Sequence, residues 1–166
     1  MKEGKLPDFI SGIATDKKEI AHRRLKLTQE YKLLLSKLTN KSGRKTIFNE
    51  YLGVDVHLIM REGGKEATNR SSFNWQSSYA ILNLETIIQK AVPKEGQSVY
   101  VLPKETGNQR AYKYVKMAVL YYEFKDKQKW YMNFTVRLIL GVKNDGRHIQ
   151  YSVNKIDMVL KKKIPW

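Results

Sequence analysis

Three β-rich runs following one another with only short links between them leave this chain few ways to fold. About Ala111–Phe124, Trp130–Val142 and His148–Leu160 are rich in Val, Tyr, Phe and Ile, and only Lys125–Lys129 and Lys143–Arg147 separate them. Strands joined by such short links lie antiparallel and adjacent, because a parallel return needs a crossover of a dozen or more residues. Asp145-Gly146 marks the second link as a tight hairpin. If these two residues form the loop, Asn144 faces Arg147, and the pairs Val142/Ile149, Leu140/Tyr151 and Leu138/Val153 share one side of the sheet. All six are apolar. The other side then carries Lys143/His148, Gly141/Gln150, Ile139/Ser152 and Arg137/Asn154, which is mostly polar. The same parity puts Met132, Phe134 and Val136 in the core and Tyr131, Asn133, Thr135 and Arg137 on the open face. In the first run the open face takes Tyr114, Lys116 and Tyr122.

The apolar side of such a meander needs a cover, and the earlier part of the chain supplies helices. Asp16 and Glu19 are spaced as a capping box, and Ile20, Leu27, Tyr31, Leu34, Leu35 and Leu38 recur at helical intervals, predicting a basic helix over 15–38. Trp75 to Ala91 repeats the pattern with Ala80, Leu84, Ile87 and Ile88, and Pro93 stops it. Alternation through Val54, Val56 and Leu58 predicts a strand between the helices, and Ser98–Leu102 reads as a short strand. Helices first and strands last predict an α+β fold, with two main helices packed on one face of a C-terminal antiparallel meander. Residues 1–166 read as one domain, made of a tail over 1–14, the basic helix, and a helix-plus-sheet core over 54–160.

Charge narrows the choice of partner. There are 31 Lys and Arg against 16 Asp and Glu, a net charge of +15, so a polyanion is favoured. With no Cys, a disulfide scaffold, a thiolate zinc site and a cysteine nucleophile are excluded. No GxxxxGK[ST] phosphate loop occurs and the carboxylates form no tight cluster, so no cofactor and no metal are expected. The apolar runs are far shorter than a membrane span, and a cytoplasmic protein without membrane contact is expected.

The expected open face mixes Lys116, Arg137, Lys143 and Arg147 with Tyr114, Tyr122 and Tyr131, a combination that suits single-stranded RNA: cations meet phosphates while rings offer unpaired bases a stacking surface. A second basic patch comprises Arg23, Arg24 and Lys26 on the first helix, with Arg44 and Lys45 in the loop after it. For acid–base chemistry the chain has His22, His57 and His148. A metal-independent ribonuclease would draw on His148 and Glu66 as acid and base, with Arg137 and Arg147 around the phosphate.

The stretch GKEATNRSSFNWQSSYAILNLETIIQKA (64–91), followed by the VKMAVLYYEF, MNFTVRLILGV and RHIQYSVNKI strands, resembles phage- and conjugative-element-associated domains related to the barnase, EndoU, colicin and RelE nuclease fold. The resemblance spans about Val54–Ile156. It implies an α+β domain whose open sheet face handles RNA. Where related sequences often place His in the loop before the helix, this chain has Lys65, Glu66 and Thr68, so only His148, Tyr151 and Ser152 match. The expectation is therefore binding of RNA or a ribonucleoprotein without cleavage, or contact with a nucleic-acid-processing protein. By analogy of lifestyle rather than of sequence, the expected biological role is interference with a host RNA-handling or CRISPR-like defence system, in the manner of a mobile element's anti-CRISPR protein. A toxin-type ribonuclease is the alternative.

Overall fold

The structure, a computed structural model, describes residues 17–60, 64, 75–106 and 113–156. The expected tail and Glu66 lie outside the described residues. Helix α1 spans Lys17–Ser42 and buries Arg23, Leu27, Tyr31, Leu35 and Leu38, one stripe at helical spacing. It runs on past Leu38 because Thr39 to Ser42 are polar without being helix breakers. Gly43 ends it with φ +72° and a 2.8 Å bond from its N–H to the Thr39 carbonyl, a left-handed cap that costs a glycine least.

Strands β1 (Thr46–Asn49) and β2 (Val54–His57) form a hairpin. Helices α2 (Trp75–Leu82) and α3 (Leu84–Lys90) replace the single expected helix. They part at Asn83, whose side-chain amide takes the Tyr79 carbonyl at 2.9 Å, a local bond that competes with the helical ladder. Strands β3 (Tyr100–Val101), β4 (Lys116–Phe124), β5 (Phe134–Val142) and β6 (His148–Ile156) follow. The sheet order is β1-β2-β6-β5-β4-β3. The fold is α+β and the β4-β5-β6 meander is present. The sheet is nevertheless mixed, because β2 runs parallel to β6 through Val56/His148 and His57/Ile149.

All three helices contribute to one core against the sheet, where Leu27, Tyr31, Tyr79, Leu84 and Ile88 join Val56, Leu120, Val136, Leu138 and Val153. Asn49 is buried there with its polar groups satisfied. Its amide donates to the carbonyls of Ile88 (2.8 Å) and Ala91 (3.0 Å), closing the C-terminal end of α3, and its oxygen accepts from Leu52 N–H at 2.7 Å.

The last hairpin departs from the expected register. Lys143 N–H donates to the Arg147 carbonyl at 3.0 Å, so three residues, Asn144 to Gly146, form the loop, with Gly146 at φ +88°. Pairing near the turn therefore slips by one: Val142 opposes His148 and Leu140 opposes Gln150. A bulge at Tyr151 absorbs the slip, and Ile139/Ser152, Leu138/Val153 and Arg137/Asn154 pair as expected. Because side chains alternate between faces, the slip sends His148 and Gln150 to the helix side and Ile149 and Tyr151 to the other. Gln150 is completely buried there and accepts a 2.7 Å bond from the Tyr31 hydroxyl.

Candidate nucleic-acid interface

The sheet face turned away from the helices is not an uninterrupted polar surface. Near the last hairpin it carries a small second core of Tyr114, Met117, Ile139, Ile149 and Tyr151. The Tyr114 ring lies on Gly141 and meets Tyr151 edge-on with centroids 5.6 Å apart. Tyr114 is thus buried and cannot stack on a base, contrary to the sequence expectation. Lys116 and Tyr122 lie one residue out of the expected parity and belong to the helix side. Tyr122 packs edge-on to Phe124 at 5.0 Å, and Lys116 Nζ sits 4.1 Å from the centroid of the Tyr100 ring. Tyr131 is not in a strand at all but in a 3-10 turn, Trp130–Met132. Arg23, placed among the solvated cations of the first helix, is buried within its apolar stripe. Arg24 and Lys26 are partly exposed, and Lys143 is half-buried.

Two regions of polar groups remain, one on each side of this second core. On one, Arg137 stands opposite Tyr121 in register and lines a cavity of about 350 Å³ with Ser98, Val101 and Thr106. On the other, Arg44, Lys45, Asp55, His57 and Arg147 line a basin of about 590 Å³. Three pieces of chain build it. The glycine cap of α1 turns Arg44 and Lys45 outward, β2 supplies Asp55 and His57, and the β5–β6 turn supplies Arg147. Parallel pairing of β2 with β6 brings these segments together. Arg147 Nε holds Asp145 at 2.8 Å, and hydrogen bonds from Arg147 keep that carboxyl below its usual range. Burial and the nearby Arg147 push the His57 imidazole below its ordinary value, against the pull of Asp55. Phe48, opposite Asp55 in the β1–β2 pairing and therefore on the same face, is 52% exposed. Sequence reasoning named the three cations but missed Phe48, since a four-residue strand with Asn at a core position gives little periodic signal.

Of the four residues considered for ribonuclease chemistry, Glu66 lies outside the described residues, and Arg137 stands apart from His148 and Arg147. Arg137 is on the open face and His148 on the helix side, where the His148 ring is already engaged. A carbonyl can only accept, so the 3.1 Å contact with the Gly146 carbonyl puts the proton on Nδ1, and Nε2 accepts the Tyr100 hydroxyl at 2.9 Å. Burial is the main cause that pushes the His148 pKa below 6.5. A lowered histidine pKa stabilises the fold above the unfolded value, and that stability is lost as pH falls below it. We therefore expect the melting temperature to drop between pH 7.5 and pH 5.5, where carboxylates scarcely titrate. His148→Gln should lessen that drop and leave the share of His57, whose value is lowered too, as thermal melts across the range would reveal; an unchanged profile would refute the assignment.

Among the described residues no cluster of three or more His, Asp or Glu is placed to hold a metal, and no helix is long and apolar enough to cross a membrane. Comparison with known protein families, with curated proteins and with solved structures finds no match.

Proposed function

We propose that this protein binds single-stranded RNA, free or as the RNA part of a ribonucleoprotein, in the basin of Arg44, Lys45, His57 and Arg147. The observation that carries the reading is that cations from two turns about a hundred residues apart in the chain meet in one basin, on a sheet face that also carries an exposed ring, Phe48, opposite Asp55. Arg44 and Lys45 have no ion-pair partner among the described residues, so both are available to phosphate. An exposed phenyl ring on the same sheet face favours unpaired bases over a duplex, whose bases are already stacked. The net charge of +15 supplies the long-range attraction that brings a polyanion to the surface. The proposal stops at binding, because His148 and Arg137 face opposite sides of the sheet.

Photocrosslinking with RNA containing 4-thiouridine tests the location. Adducts are expected within Arg44–Ile59, with Phe48 the leading position. Adducts confined to the exposed lysines of α1 would instead make the basin an ordinary solvated surface.

A further inference from the structure

The turn between β4 and β5 displays an indole at its tip. Trp130 is 84% exposed. The backbone that carries it is tied in place by two side chains of the turn. Asn133 Oδ1 accepts the Asp126 N–H at 2.9 Å, and Asn133 Nδ2 donates to the carbonyls of Asp126 (3.0 Å), Lys129 (3.0 Å) and Trp130 (3.1 Å). Asp126 Oδ1 in turn accepts the N–H groups of Gln128 (2.8 Å) and Lys129 (3.1 Å). Rings continue the support inward. Tyr131 stands nearly perpendicular to Trp130 and edge-on to Trp75, and Trp75 meets Phe134 at 5.5 Å beside the main core.

We propose that this turn is a second contact point for unpaired nucleobases, with Trp130 as the stacking surface. The class of ligand rests on the RNA reading above, but the place rests on this geometry alone. A ring held outward before binding loses little freedom when a base lands on it, which is how preorganisation raises affinity. The charge around it suits a polyanion. Lys127 has no ion-pair partner among the described residues, Lys125 balances Glu123 at 2.9 Å, and Asp126, the turn's own carboxylate, is occupied by backbone N–H groups. Arg147 lies beyond the other end of nine-residue β5, so the two sites are about 27 Å apart at 3.4 Å per residue, far enough to act separately.

The test titrates the full chain and its Trp130→Phe variant with short oligouridylate, the difference in emission between them reporting Trp130 while Trp75 stays in place behind Tyr131. Saturable quenching of the Trp130 emission is expected, and it should persist when Arg44→Glu and Lys45→Glu are added. In the otherwise natural chain, Trp130→Ala should weaken oligouridylate binding about tenfold, with Trp130→Phe recovering much of it. The change touches only an exposed ring, so folding is not at stake. Absent quenching, or unchanged affinity in Trp130→Ala, overturns the proposal. So does a blue shift on vesicles containing phosphatidylserine when oligouridylate has no effect, which would make the turn a membrane contact. Quenching without crosslinks at Phe48 would uphold this site and remove the basin; crosslinks at Phe48 without quenching would do the reverse.

Discussion

Gly141→Val is expected to destabilise the protein by about 3 kcal/mol, the upper end of what overpacking a core costs. Position 141 is buried in β5, and a Cβ added there would stand 2.5 Å from ring carbons of Tyr114, inside any allowed contact. The ring has little room to retreat, because it is itself buried and packs against Tyr151. Glycine is required here by close approach, since its φ is not positive. Tyr114→Ala alone should also cost about 3 kcal/mol, by removing an aromatic ring from a packed site. In the double variant the clash has no second partner, so the two losses should fall well short of adding. Urea unfolding of the four proteins measures this coupling. Strict additivity would mean that Tyr114 does not rest on Gly141 in solution.

The same contact explains why the open face was only half legible in the sequence. Alternation and the Asp-Gly pair locate the meander, and Arg137, Thr135 and Val136 fall on the expected sides. Asn144-Asp145-Gly146 fits either a two-residue or a three-residue loop, since both place Gly near the end of the turn. Choosing the shorter loop shifts His148 and Gln150 to the wrong face. The Tyr151 bulge that restores register is hidden because Ile149, Tyr151 and Val153 are all apolar and both sheet faces have a core at this end. Lys116 and Tyr122 fall on the unexpected side for a related reason: Met117 is core, but of the second face, and half-buried Val119 lines the Arg137 cavity on that same face. Arg23 illustrates a conflict between pattern and chemistry. It stands four residues before Leu27 in the buried stripe, yet its charge argues for solvent. The three cations of the basin were legible as residues. Their meeting was not, because it depends on β2 pairing with β6 across about ninety residues of chain, and no local spacing encodes such a contact.

The second large effect concerns those cations. Arg44→Glu and Lys45→Glu combined with Arg147→Gln should weaken binding to unstructured RNA on the order of a hundredfold. Two unit charges in contact through water are worth about 1 kcal/mol, so losing three attractive contacts costs about 3 kcal/mol before the two reversed charges add repulsion. All three residues are exposed, and the glutamine at 147 avoids setting a new carboxylate beside Asp145. The melting temperature should therefore remain close to that of the unaltered chain, which separates lost binding from lost folding.

Affinity for an unstructured RNA, measured against salt concentration for the unaltered protein and this triple variant, tests the central claim most directly. Each phosphate neutralised on a single strand contributes about 0.7 to the slope of log affinity on log salt. Three basin contacts therefore predict that the unaltered protein's slope is steeper than the variant's by about 2, together with the hundredfold gap at low salt. If the folded variant binds with the same affinity and the same slope, Arg44, Lys45 and Arg147 meet no phosphate and the basin is not where RNA binds.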